Sequence, residues 1–294
     1  MSLFFVIIKI GDYMRSCLVL EGGALRGIYT AGVIDYLLEN DFKFDTVIGV
    51  SAGALFGCNY ISKQKGRALR YNLKYRHNKN YMGFYSLITT GNIMNEKFCF
   101  DDLVNKLDKF DYDTFKKNKT KFYAVVSNLD TGKAEYKLVT DMRDKNQMEY
   151  LRASGSMPII SKIVNIDNNK YLDGGMTDSI PVDWALKDYD KVVVVSTRTI
   201  EYRKKKSPIW PYKLFYRKYP KFIESVKNRW IDYNKVQDRL IELEKDNKIF
   251  VIRPSYSTGI SRLEKNLDKI KEQYNLGYND MKKNFKNMKN YFKK

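Results

Sequence analysis

The sequence predicts an α/β fold with a mostly parallel central sheet flanked by helices, followed by a basic helical C-terminal extension. Three observations carry that prediction. Short apolar, β-branched runs alternate with helical patterns along most of the chain, as they do where crossover helices join neighbouring strands. Near the N-terminus a strand-like run, a glycine-rich loop, an apolar-periodic segment and a second run, Thr46-Val47-Ile48, form a β-loop-α-β unit. Its default is a parallel pair with a right-handed crossover. Further on, Val192-Val193-Val194-Val195 reads as an interior strand.

Taken in order, Ser16-Cys17-Leu18-Val19-Leu20 is the first expected strand, and it runs straight into Glu21-Gly22-Gly23-Ala24-Leu25-Arg26-Gly27. A helix follows, with Ile28, Ala31, Ile34, Leu37 and Leu38 on one face and Asn40 and Asp41 ending it. The second strand ends in Gly49-Val50-Ser51-Ala52-Gly53, after which Ala52, Ala54 and Leu55 favour helix. Residues 52–76 are expected to be helical, closing in a basic patch around Lys74, Arg76 and Lys79. Residues 80–100 read as an irregular aromatic stretch, with Tyr81, Phe84, Tyr85, Phe98 and Phe100, and as a candidate lid. Residues 101–107 have cap chemistry and helical spacing. Residues 122–127 form a third core strand, and Thr131-Gly132 turns the chain into residues 135–139.

A helix is expected over residues 147–156, stopped by Met157-Pro158. Residues 163–166 and 170–172 flank Asp167-Asn168-Asn169, a hairpin signature that delivers Asp173-Gly174-Gly175. Residues 201–246 are basic, aromatic and helical, residues 249–252 add a last strand, and a Lys-rich helical tail starts at Arg262. The expected organisation is a core over residues 15–200, a basic aromatic helical segment over 201–246, and a final strand and tail over 247–294 packed on the core.

The chain has 294 residues, 44% of them hydrophobic, enough for a sizeable core. Lys+Arg number 53 against 34 Asp+Glu, a net charge of +19. Such a field favours nucleic acid or an anionic membrane surface. An A/T-rich coding bias, which enriches Lys, Asn, Ile, Tyr and Phe, would produce the same excess, so charge alone does not choose. Cys17, Cys58 and Cys99 are widely spaced, with neither C-x-x-C spacing nor a disulfide framework, which suits a reducing cytoplasm. Cys17, inside an apolar strand, is expected in the core.

Residues 1–8 are apolar but lack a basic leader, are followed by Lys9, and are too short to span a bilayer. Met14 reads as a natural start, with residues 1–13 an upstream extension. A soluble or at most peripheral protein is expected.

The spacing Gly49-Val50-Ser51-Ala52-Gly53 between a strand and a helix has the layout of a nucleophile elbow. A turn that sharp strains the serine and leaves no room for Cβ atoms two residues to either side. The competing reading is an ordinary βα turn with a capping serine. A serine hydroxyl needs a base, and the only histidine, His77, lies between Arg76 and Lys79, upstream of every candidate acid. It reads as a solvated surface residue. If Ser51 is a nucleophile, its base is something else.

Asp173 is the best candidate, at the end of a predicted strand and followed by Gly174 and Gly175, which allow close approach; taken alone, Asp-Gly-Gly reads as a plain turn. A carboxylate is a weak base. Desolvation can raise its pKa, and each oxyanion donor can supply about 3–4 kcal/mol. Asp178 is a rival acid, although Ile180-Pro181 after it suits a loop or helix start. The loop Gly22-Gly23-Ala24-Leu25-Arg26-Gly27 would point consecutive N–H groups into one cavity. Nucleotide binding competes for that loop, but no Gly-Lys-Ser/Thr is present. Arg26 either pairs with an anionic head group or braces the loop.

In this order, Glu21-Gly22-Gly23-Ala24-Leu25-Arg26-Gly27, Gly49-Val50-Ser51-Ala52-Gly53 and Asp173-Gly174-Gly175 resemble the motif set of patatin-like phospholipases. Arg152-Ala153-Ser154-Gly155-Ser156-Met157-Pro158 is similar to that family's segment before the hairpin carrying the acid. The resemblance covers about residues 16–200. Ile249-Phe250-Val251-Ile252-Arg253-Pro254 and Ser261-Arg262-Leu263-Glu264 look like a bacterial branch.

It implies a three-layer α/β/α core and a Ser-Asp dyad, with Ser51 as nucleophile and Asp173 as base. Gly22, Gly23, Ala24, Leu25, Arg26 and Gly27 would form the oxyanion hole, Gly49 and Gly53 the elbow, and Gly174 and Gly175 the acid loop. The implied reaction is hydrolysis of lipid acyl esters through an acyl-enzyme, with no metal or cofactor. One departure is Ala24, where the family has a third loop glycine. A methyl group is tolerable there if φ stays negative, and it can narrow the hole.

The expected partners are a lipid substrate and, transiently, an anionic membrane surface, with no nucleic acid; the expected location is cytoplasmic, peripheral on the inner membrane face. Residues 202–230, with Trp210, Tyr212, Phe215, Tyr216, Tyr219, Phe222 and Trp230 among Lys and Arg, suit a lipid interface. They equally suit a subdomain packing its aromatics on the core. The alternative function is a catalytically weak or inactive lipid- or partner-binding protein on the same scaffold.

Overall fold

The computed structural model describes residues 14–293, and the expected upstream extension, residues 1–13, lies outside them. The N-terminal half runs β1 (Ser16–Leu20), a 3-10 turn (Ala24–Gly27), α1 (Ile28–Glu39), β2 (Thr46–Val50), α2 (Ala52–Ile61), α3 (Arg67–Tyr75), α4 (Phe84–Thr90), a π-helix (Phe98–Leu107), α5 (Tyr112–Lys117), β3 (Lys121–Asn128) and β4 (Ala134–Leu138). Then come α6 (Lys145–Ser154), β5 (Val164–Ile166), β6 (Asn169–Asp173), a 3-10 turn (Gly174–Met176), α7 (Val182–Asp188), β7 (Lys191–Val195), α8 (Trp210–Phe215), α9 (Pro220–Lys245), β8 (Ile249–Ile252) and α10 (Leu267–Tyr291).

β8, β7, β1, β2 and β3 lie side by side and parallel, as the β-branched runs predict. The strand period of two sorts their side chains onto two faces. Leu18, Leu20, Val47, Phe122, Val193 and Val195 pack on one side against α1, α2 and α10. Cys17, Val19, Ile48, Val50, Val125, Val192 and Val194 pack on the other against α7 and α9. The result is three layers, with Cys17 in the core.

The register at β3 decides where the site forms. β2 pairs with β3 only as far as Val50↔Val125. β4 takes the opposite edge, pairing antiparallel with residues 123–127 of β3. β6 pairs antiparallel with residues 126–128, beginning at Val126↔Asp173. A strand has two edges, so β6 occupies the lane that β2 vacates after Val50. The end of β6 and the end of β2 therefore meet head to head.

Several local expectations change in three dimensions. Residues 52–76 form two helices: α2 ends at Ile61, and the chain turns through Lys63 at φ +56 and Gly66 at φ +74 before α3 begins at Arg67. Arg76 is no part of a surface patch: it is buried and donates to the carbonyls of Glu264, Leu263 and Met82. Residues 80–100 are not irregular throughout, since they contain α4 and the start of the π-helix. α6 ends at Ser154, before Met157-Pro158, because its last carbonyls are capped by Gly155. α1 is buried nearly all round, Asp35 included, because α10 covers the face expected to be wet. The two helices touch through their backbones. A Cβ on Gly32 would lie 2.1 Å from the Tyr274 carbonyl, and one on Gly277 would lie 2.0 Å from that of Tyr29.

Candidate active site

Ser51 sits at the end of β2, where the chain reverses into α2, with φ 54 and ψ −122. A non-glycine residue in that region is strained by about 1–3 kcal/mol and needs its surroundings to hold it. The glycines either side make the turn possible. A Cβ on Gly49 would come within 2.5 Å of Ala54 N, and one on Gly53 within 2.3 Å of Leu20 O. The Ser51 N–H donates to Ser154 Oγ at 2.9 Å, so the C-terminal turn of α6 holds the elbow.

Asp173 arrives from the opposite direction. Its carboxylate accepts from Ser51 Oγ at 2.6 Å through Oδ2, and from the Gly175 N–H at 2.8 Å through Oδ1. Its backbone is fixed on both sides, the N–H by the Ser156 carbonyl at 2.8 Å and the carbonyl by Ser127 Oγ at 2.8 Å. Gly174 has no space for a side chain, since a Cβ would lie 2.2 Å from Val125 O. Ser51 is 7% and Asp173 5% exposed. Burial raises the Asp173 carboxyl above its ordinary value, and the Ser51 hydrogen bond, Arg229 and the Gly175 amide pull it part of the way back.

The glycine-rich loop faces this pair. A Cβ on Gly22 would touch Ser51 Cβ at 2.9 Å, which shows how close the loop passes. Two of its amides are already committed: Leu25 N–H donates to Arg262 O at 3.3 Å and Arg26 N–H to Gly23 O at 3.2 Å. Neither Leu25 nor Arg26 is therefore a free donor, and Gly27 packs on Ala52. The amides of Gly22, Gly23 and Ala24 remain, together with Ala52 at the start of α2, where helix geometry leaves first-turn N–H groups unsatisfied. Ala24 takes φ +51, so the condition under which a methyl is harmless there is not met. Glu21, buried, braces the loop by accepting from Tyr233 OH at 2.6 Å and Ser196 Oγ at 2.7 Å.

Two cavities meet at Ser51 and share Ala24, Ser51 and Met157. One, about 90 Å³, is apolar, with walls that include Leu55, Phe56, Leu103, Phe110 and Leu151. The other, about 260 Å³, holds Asp173 and a group of cations. His77 is on the surface. Asp178 lies apart, accepting from Tyr136 OH at 2.8 Å and Ile180 N–H at 3.2 Å, so it serves its own loop. Ser154, Ser127 and Ala52 escaped the sequence reading as site residues. Ser154 lies inside a motif already singled out, whereas nothing local marks Ser127, whose role comes from strand register. Among the described residues no group of three or more His, Cys, Asp or Glu could hold a metal ion. No helix among them is long and apolar enough to cross a membrane.

Residues 18–186 match the patatin-like phospholipase family, and residues 219–293 match a domain of unknown function, DUF6363. The uncharacterized protein YjjU of Escherichia coli K12 is 28% identical over 274 residues, 90% of this chain and 75% of its own length. The probable lipid hydrolase 463L of invertebrate iridescent virus 6 is 29% identical over 194 residues, 59% of this chain and 64% of its own. Among solved structures, VipD from Legionella pneumophila aligns over 92% of this chain and 66% of its own length, with TM-score 0.43 and 12% identity. The family match covers more than half of the sequence, and the chain belongs to the patatin-like phospholipase family.

Proposed function

We propose that this member of the patatin-like phospholipases hydrolyses fatty-acyl esters of membrane lipids, with Ser51 as nucleophile and Asp173 as its base. The observation that carries the reading is the 2.6 Å bond from Ser51 Oγ to Asp173 Oδ2, made on a strained elbow beside an apolar cavity. Ser51 Oγ attacks the ester carbonyl as its proton passes to Asp173. The oxyanion is received by amides of Gly22, Gly23, Ala24 and Ala52, with the positive end of α2 behind them. Asp173 then protonates the departing alcohol, leaving an acyl-enzyme. Water, losing a proton to Asp173, attacks that ester, and the proton returns to Ser51 as the fatty acid leaves. Burial supports this role, because a carboxylate raised above its ordinary value is a better base.

The apolar cavity suits the acyl chain, each buried methylene contributing about 0.8 kcal/mol. Its walls include Met82, Met94, Met142, Met148 and Met157, flexible side chains that can repack around a chain wider than the resting 90 Å³ space.

Membrane contact is the companion proposal. The aromatic segment divides: Tyr216 and Phe222 are buried, whereas Trp210, Leu214 and Phe215 on α8 stand out in solvent. Phe84 and Ile88 on α4 are exposed too, at 74% and 69%. Loop 157–162 ties both helices to the mouth, through Ile159 N–H on Tyr216 OH and Ile93 N–H on Ile160 O. Lys205, Lys206, Lys213, Arg217 and Lys218 lie on or beside α8, the charge an anionic bilayer would attract. Vesicle binding should strengthen with anionic lipid content and weaken in Trp210→Ser/Phe215→Ser; indifference to both would dismiss the contact.

The hydrolase reading is tested with a fluorophosphonate and p-nitrophenyl esters of several chain lengths. Labelling at Ser51, lost together with turnover in Ser51→Ala, is expected. Turnover that persists in Ser51→Ala would overturn it. A second reading, a lipid-binding protein with little turnover, draws on Ala24 at φ +51; fatty acid bound without measurable ester cleavage would favour it.

A further inference from the structure

The larger of the two cavities carries a charge that the hydrolysis of an ester does not require. Arg26, Arg198, Lys204, Arg229 and Arg262 line it, against two carboxylates, Glu21 and Asp173. Both carboxylates are committed elsewhere, Glu21 to Tyr233 and Ser196 and Asp173 to Ser51 and Gly175. Among the described residues none of the five cations lies within salt-bridge distance of a carboxylate.

Three of the heads are nonetheless held in place. The Arg198 guanidinium lies 4.1 Å from the centre of the Tyr202 ring, and the Lys204 ammonium 4.2 Å from that of Tyr233. Arg229 donates Nε to the Gly175 carbonyl, which leaves the rest of its fork free. Arg26 Nε is buried with no hydrogen-bond partner. Burial, then the neighbouring Arg198 and Arg262, lower the Arg26 guanidinium to about 10. Burial and then Arg229 lower the Lys204 ammonium to about 7, with Glu21 pulling weakly the other way. Four of the five are half-buried and Arg262 is exposed, and together they outnumber the charges of Glu21 and Asp173, so the cluster carries an excess of like charge that a further anion would relieve.

We propose that this cavity binds a phosphate group carried on the alcohol side of the substrate, so that the preferred lipid has an anionic phosphorylated head rather than a zwitterionic one. The proposal rests on the ester-hydrolase reading for the position of the scissile bond. An ester carbonyl at Ser51 sends its acyl chain into the apolar cavity and its alcohol into the cationic one, because the two open from the same point. Guanidinium forks match phosphate oxygens two at a time, and a choline or ethanolamine ammonium would meet four guanidinium groups of like charge. Arg229 and Arg262 lie in the segment matching the domain of unknown function, which gives that segment a role in head-group choice.

Calorimetry on the Ser51→Ala protein separates binding from turnover. Glycerol 3-phosphate should bind and glycerol should not, with glycerophosphocholine at least about tenfold weaker than glycerol 3-phosphate. Adding Lys204→Met or, separately, Arg198→Met should weaken glycerol 3-phosphate by about tenfold each. Two independent variants, each with its melting curve, guard against a misfolded one. Inorganic phosphate binding as tightly as glycerol 3-phosphate would overturn the head-group assignment in favour of a free-anion site. If wild-type protein cleaves p-nitrophenyl butyrate while glycerol 3-phosphate fails to bind, the phosphate site falls and the hydrolase stands. If glycerol 3-phosphate binds while no ester is cleaved, the hydrolase reading falls instead.

Discussion

The apolar cavity is walled by residues between Ala24 and Met157, with Leu263 the one contribution from beyond, whereas the cationic cavity draws on Glu21, Ser51, Asp173, Arg198, Lys204, Arg229 and Arg262. The first assembles from helices that bury their apolar faces anyway, so burial alone gathers Leu55, Phe56, Leu103 and Leu151. The second gathers groups that repel one another, and only the rest of the fold keeps them together. A space that opposes its own formation is better explained by what enters it than by stability. The contrast separates a chain-holding side from a head-holding side, with Ser51 and Asp173 at the junction.

The harshest way to break that comparison is at the junction. Asp173→Asn should cut ester turnover by about 10³-fold or more, leaving both cavities in place. The same change should stabilise the fold at neutral pH. Burial raises the Asp173 pKa above its unfolded value, so its favourable contribution is full below the ordinary carboxylate range and is lost as pH rises through the folded value. The melting temperature of Asp173→Asn should therefore exceed that of wild type at pH 7, with the gap closing toward pH 4. In the wild type, the acid limb of kcat/KM should lie above the ordinary carboxylate range. An acid limb at or below that range would remove the buried carboxylate as base.

A milder change sharpens the contrast by separating the two sides. Met148→Trp fills one end of the apolar cavity, and should lower the long-chain to short-chain kcat/KM ratio by about tenfold. It should leave the phosphate preference where it was, whereas Lys204→Met should do the reverse. If either variant moved both ratios together, the two cavities would not be separate subsites. The smallest expected effect is at the point they share. Ala24 at φ +51 bears the left-handed penalty of about 1 kcal/mol, partly offset by the greater unfolded-state freedom of glycine. Ala24→Gly should thus raise stability by about 0.5 kcal/mol in chemical denaturation. A loss would mean that the methyl group packs better than its backbone suggests.

Much of this was legible in one dimension, and the reason is local. The valine run of β7, the alternation of strands and helices, and the elbow glycines are each dictated by sterics or period within a few residues, so the parallel core and the position of Ser51 follow from reading along the chain. With His77 the only histidine, the base for Ser51 has to be another group, and Asp173 is the acid with glycines behind it.

Tertiary structure decided what depends on register and on distant segments. That β6 enters antiparallel, in the lane vacated by β2, follows from β4 taking the other edge of β3, and no local pattern encodes which edge is free. The burial of Arg76, the all-round burial of α1 beneath α10, and the commitment of the Leu25 amide to Arg262 have the same origin. The split of the aromatic segment into buried Tyr216 and exposed Phe215 could not be read from composition, since both residue types serve a core or a membrane equally well. The cationic cavity is the extreme case. Its cations are up to 236 residues apart, from Arg26 to Arg262, and a charge on a sequence has no neighbours until the chain has folded.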